Sequence, residues 1–228
     1  MNILKLPRLL KRRPRRANQF RQTATRFGSE ESGVAAIEFA LVAPILVILL
    51  LGTAGVTNAI WAKSKTTHAT GIIGDLVSQA DVIPLNGANS MTDILSAAPD
   101  LMSPFGGDQS LEVTVTQAIA CSNDPSNPTA AVDYLVIWSQ RWTEDAGVAD
   151  GYGFQSALPN SPNDLRIPHD DFLLVTEIIY QHKPPVSLTD QSVYDFKETS
   201  FNQPRAAGNV TFTPAGNDND TTCSMLGY

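Results

Sequence analysis

Glu38 is a lone carboxylate inside an apolar block, in the stretch Gly33-Val34-Ala35-Ala36-Ile37-Glu38-Phe39. A carboxylate on a helix that faces lipid is costly, so it calls for a cationic partner. Hydrolysis of the Gly33–Val34 peptide bond would create one. Val34 would then carry the chain's ammonium group one helical turn from Glu38, the spacing at which two residues share a helix face. In a bundle of such helices, Glu38 of one copy could neutralise the ammonium of its neighbour and favour a single register. The simpler alternative places Glu38 at the level of the lipid headgroups, with its carboxylate in water.

Other constellations are thinner. His68, His169 and His182 are scattered, and only His169-Asp170-Asp171 could start a metal site; a solvated turn after Pro168 accounts for it equally. Asn217-Asp218-Asn219-Asp220 lacks the glycine and final glutamate of a calcium loop and reads as a polar turn. No nucleophile elbow, phosphate loop or His-Glu-x-x-His helix occurs. The composition thus points away from an enzyme and implies no metal or cofactor. Tyr134, Trp138 and Trp142 alternate along one predicted strand, as a recognition patch or, more commonly, as core packing. Cys121 and Cys223 are the chain's two cysteines. They could form one disulfide closing a loop of about 100 residues, or remain two separate buried thiols.

The element that must position Glu38 is the apolar segment after it. Phe39 to Ala62 is free of charge, and as a helix it would extend roughly 36 Å, more than a bilayer core of about 30 Å. Pro44 lies inside it and removes one backbone hydrogen bond, either as a point of flexibility or as a proline that membrane helices tolerate. Nine of the sixteen Lys and Arg residues fall in the first 26 positions. Through Gly33 the balance is nine positive minus two negative, +7; from Trp61 onward it is seven positive minus twenty negative, −13. A basic head could bind nucleic acid, but the span behind it argues for a cytoplasmic flank instead, with the acidic half exported and no nucleic-acid partner. Residues 1–32 read as flexible or as a surface helix on anionic lipid. A cleaved secretory signal is the rival reading, although its apolar region is normally shorter and its basic region smaller.

Beyond the span, Ile60, Trp61, Ala69, Ile72, Ile73, Leu76 and Val77 recur at spacings of three and four, which predicts an amphipathic helical extension over 63–83. Ser90 caps a predicted short helix at Met91–Ala97, with Asp93 in its first turn. Leu111–Ala120 alternates like a half-buried strand. Tyr134–Trp142 and Phe172–Gln181 are denser in apolar residues and are predicted at the sheet centre, joined by a loop over 145–170. Val193–Phe201 and Asn209–Thr213 add edge strands or helical turns. The expected fold is α+β, pilin-like: a long amino-terminal transmembrane helix running into a small, mainly antiparallel exported sheet. Its segments are a basic leader (1–33), a span (34–62), the helical extension (63–83) and an exported domain (84–228).

The run Glu31-Ser-Gly33-Val34-Ala-Ala-Ile-Glu38-Phe39-Ala-Leu-Val-Ala-Pro44, continuing into a Leu/Ile-rich span, resembles TadE-like proteins, pseudopilins of the tight-adherence (Flp) pilus system. The resemblance covers residues 26 to 62. It implies cytoplasmic-side cleavage between Gly33 and Val34 by a prepilin peptidase, leaving 228 − 33 = 195 residues. It also implies assembly roles for Glu38 and Phe39, insertion in a bacterial inner membrane, and partnership with other pilins, pseudopilins and the pilus assembly machinery. Phe39 stands where major pilins of this system have tyrosine, and the exported domain is far larger than theirs, so the resemblance is to the pseudopilin branch rather than the shaft subunit. TadF-like and TadG-like relatives share the helix pattern. The alternative is an uncleaved single-pass scaffold of a pilus or secretion apparatus.

Overall fold

A computed structural model describes residues 32–84, 87, 89–105, 111–122, 124, 126, 132–159, 167–184, 193–205, 210–213 and 222–227. The basic leader to position 31, the tip of the 145–170 loop and the Asn217–Asp220 turn lie outside these residues. The chain divides into two units, one through Thr53 and one from Ala54. In the first, the described residues belong to helix α1 (Ser32–Ser78), which continues through Pro44. No residue from 33 to 53 is buried, so the apolar side chains have no partner among the unit's described residues.

The second unit pairs the carboxyl part of α1 with a five-stranded antiparallel sheet. In chain order its elements are β1 (Val82–Pro84), α2 (Met91–Ser96), α3 (Ala98–Met102), β2 (Leu111–Ser122), β3 (Val132–Thr143), β4 (Gly147–Asp150), β5 (Phe172–His182), β6 (Tyr194–Asn202) and β7 (Thr211–Thr213). The sheet order is β4-β3-β2-β5-β6, and β1 pairs separately with β7 in parallel. The α+β class, the long helix and the three main strands match the sequence reading. The helix ends at Ser78, earlier than expected, and a short strand takes 82–84.

The sheet centre differs from expectation: β2 is the middle strand, with β3 and β5 flanking it. Its alternation suggested a half-buried strand, yet Thr116 and Gln117 are buried because both find partners inside. Thr116 and Ser139 hydroxyls lie 2.7 Å apart. Gln117 Oε1 accepts from Trp138 Nε1 at 3.2 Å and from the Val210 amide at 3.1 Å, tying the β7 approach to the sheet. Buried polar atoms are tolerated when they are paired in this way.

One face of the sheet packs on α1, α2 and α3 around Val113, Val115, Ile119, Ile178 and Tyr180. The helix presents Ala62, Thr66, Ala69, Thr70, Ile73 and Val77 to it. This stripe is rotated from the predicted one: Ile60, Trp61, Ile72 and Leu76 are exposed, and two threonines are buried instead. Thr66 Oγ1 donates to the Ala62 carbonyl and Thr70 Oγ1 to that of Thr66, so neither hydroxyl needs water. The predicted cap is present, with Ser90 Oγ accepting from the Asp93 amide. The 145–170 segment contributes β4 through the turn at Gly147, where φ is +66°, together with a bridge from Ala157 to Leu135.

Gly74 sets how closely α1 approaches β5 and β6. A Cβ there would meet Asn202 Oδ1 at 2.8 Å and Thr176 Oγ1 at 3.0 Å. Gly74→Ile is therefore expected to destabilise the fold by about 1–3 kcal/mol through overpacking. Gly71→Ala, whose Cβ would enter open space, should gain about 0.5–1 kcal/mol from helix propensity. Urea midpoints of the two variants in detergent check the opposite signs.

Candidate functional site

In the first unit, the Gly33–Val34 bond lies in the opening turn of α1, and Val34 is 60% exposed. Glu38 and Phe39 are exposed on the following turn. Helical geometry puts Val34 and Glu38 on one face, four residues apart.

In the second unit, Cys121 at the end of β2 and Cys223 in a terminal 3₁₀ turn (Cys223–Leu226) form a disulfide, with Cα atoms 5.4 Å apart and a sequence separation of 102. His169 and Asp170 gather beside it, the only His/Cys/Asp/Glu group among the described residues with metal-like spacing. The cysteine there has no thiolate, since its sulfur is in the disulfide. The other donors are engaged: Asp170 Oδ1 accepts from the Cys223 amide at 2.7 Å, and His169 Nδ1 accepts from the Ser122 amide at 3.0 Å. Asp170, with φ +66°, also donates its backbone amide to the Ala120 carbonyl at 3.0 Å. The arrangement braces the tail against β2. Asp171 joins it through its carbonyl, which accepts from the Ala120 amide.

The aromatic residues of β3 do not form one patch. Pairing shifts by one residue between Gln117 and Ala118, so Ile137 and Trp138 both join the helix-side core, and Tyr134 turns to the opposite face. Such a bulge reverses the side-chain alternation beyond it. All three aromatics are buried, Trp138 and Trp142 toward α1 and Tyr134 under the loop that carries Leu158 and Ile167.

Sequence reasoning missed a cluster at the end of the sheet nearest Trp61. His182 is 1% exposed, and neither ring nitrogen has a hydrogen-bond partner among the described residues. Its ring stacks on Phe196 at 5.7 Å and lies 6.0 Å from both Phe105 and Tyr180; Trp61 meets Phe105 edge-on at 5.1 Å. Burial pushes Tyr180 up to about 12, and its hydroxyl donates to the Phe105 carbonyl. Burial lowers the His182 pKa below its ordinary 6.5, because an imidazolium here would have no acceptor. The signal was the position of His182, one residue past an apolar run and in phase with Ile178 and Tyr180.

The sign of the pH effect follows. As pH falls through 6.5 the unfolded chain takes up a proton at this position and the folded chain resists, so stability declines from about neutral pH downward until the lowered folded value is passed. His182→Phe should flatten that decline relative to the parent between pH 7.5 and 5. Thermal midpoints across this range check it; parallel profiles for the two proteins would contradict it.

Residues 33–71 match the sequence model of the family described as TadE-like protein, 39 of the 228 positions counted as 71 − 33 + 1. No curated protein and no solved structure matches the chain.

Proposed function

We propose that the chain is a TadE-like pseudopilin that takes part in Tad pilus assembly, a reading supported by the match of residues 33–71 to the TadE-like family model. In this reading it inserts with residues 1–33 in the cytoplasm and its sheet domain in the periplasm. A prepilin peptidase clips it after Gly33, and it works by association rather than by chemistry of its own. The observation that carries the reading is the exposure of the apolar stretch from 33 to 53, which fits the family-like Gly33-Val34 and Glu38-Phe39 pattern. Helices with such a surface are stable only in lipid or against other helices. Lipid would cover them before assembly; neighbouring pilins and pseudopilins would cover them afterwards.

The charge arrangement supports the same direction. Nine Lys and Arg residues precede the span and Lys63 and Lys65 follow it closely, which favours retention of the amino terminus in the cytoplasm. In a host that builds such pili, removing this chain is expected to abolish pilus-dependent surface adhesion, and re-supplying it to restore adhesion. Unchanged piliation without it would contradict the proposal.

A further inference from the structure

Strand β6 and the last part of α1 run in the same direction. Lys63 Nζ lies 3.7 Å from Glu198 Oε1, and farther along both elements Gly74 faces Asn202. Tyr194 precedes Glu198 by four residues, roughly 13 Å of strand. The same length of helix, counted back from Lys63, is about nine residues, near Ala54. The start of β6 therefore reaches past Trp61 and lies beside the final turns of the charge-free segment. On that stretch Asn58 and Ala59 are half-buried, whereas Val56, Thr57 and Ile60 are exposed.

The side chains on this end have a particular chemistry. Tyr194 is 53% exposed and pairs across the sheet with His182; Val193 before it is also exposed. Trp61 leans one ring edge on Phe105 and leaves half its surface open. Amphipathic aromatic rings favour the boundary between hydrocarbon and water. Three of the seven cations after the span, Lys63, Lys65 and Lys183, lie at this end, where long stems could rest on apolar surface with the heads in water. Glu198 is paired with Lys63, and Asp195 points to the sheet face away from Tyr194, as strand alternation requires.

We infer that the end of the second unit bearing Trp61, Val193 and Tyr194 is seated in the lipid headgroup layer into which α1 descends. The inference rests on reading α1 as a membrane span. It identifies phospholipid, through the interfacial preference of these rings, as what this face contacts before assembly. It also means that leaving the membrane uncovers the sheet end along with the helix.

The test uses the full chain in phospholipid vesicles, with Trp61→Phe as the parent so that Trp138 and Trp142 give a constant background. Tyr194→Trp is added as the probe and Ile48→Trp as the span control, and quenchers are attached to lipid either near the headgroup or deep in the chain. The Tyr194→Trp emission is expected to be largely lost to the headgroup-level quencher and little affected by aqueous iodide. Ile48→Trp should respond to the deep quencher. A Tyr194→Trp signal open to iodide, or shielded from every quencher as it would be under a second protein, overturns the inference while a quenched Ile48→Trp leaves the span intact. An unquenched Ile48→Trp overturns both. Val193→Trp supplies the same readout if the tyrosine variant does not fold.

Discussion

Glu38→Ala is expected to insert in the membrane at normal levels and to lose pilus-dependent adhesion. The reason lies in where the carboxylate sits. It interrupts an otherwise apolar surface one turn into α1, and no residue of the first unit's described helix covers it. After removal of the leader, Val34 presents an ammonium on the same face. Two such helices side by side can exchange these charges in a low-dielectric setting, where an unpaired charge is strongly unfavourable. Alanine leaves the neighbour's ammonium unmatched and should raise membrane insertion slightly, since it removes a charge from the span. Glu38→Gln separates charge from size: it keeps the shape and should fail like alanine. Adhesion and surface pilus counts, measured beside membrane levels of the variant, check the prediction. Normal piliation in either variant would show that the carboxylate is a passive headgroup-level residue.

The second large effect concerns the sheet domain. Replacing Cys121 and Cys223 together by serine should lower its stability by about 2–5 kcal/mol, the usual consequence of removing a native disulfide that closes a loop of this order. Both cysteines are fully buried, and the tail they hold also donates its Cys223 amide to Asp170. Loss of the crosslink therefore weakens the hydrogen bond as well. Denaturant midpoints of the parent with and without reductant should differ by the same amount as parent and double variant. Identical midpoints would mean that the pair adds nothing to the fold. The predicted dependence on oxidation is consistent with export.

Much of the architecture was legible because it rests on local pattern. The uncharged run to Ala62 announced the helix, Ser90 and Asp93 announced its short successor, and β-branched alternation located β2, β3 and β5. What escaped depended on long-range pairing. Thr66 and Thr70 fall outside the apolar repeat, but their hydroxyls bond back along the helix and can be buried. Gln117 is a polar residue in a strand pattern, and it is buried because it is met by Trp138 and by Val210, 93 residues away. The one-residue shift opposite Gln117 split an aromatic series that strict alternation would have kept together. At the amino-terminal end of α1 the situation is reversed. Gly33, Val34, Glu38 and Phe39 were recognisable from type and spacing, whereas the structure of a single chain shows their exposure but not the neighbour that would complete them.

The central claim is that this chain becomes a shortened subunit whose new terminus and Glu38 work as a pair. The mass and amino-terminal sequence of the protein extracted from membranes of a host with the prepilin peptidase test it most directly. The account predicts a chain of 195 residues starting at Val34 (228 − 33), and the full 228 residues in a host lacking the peptidase. Full-length protein alone in a host that has the peptidase and makes pili would contradict it and favour an uncleaved membrane scaffold.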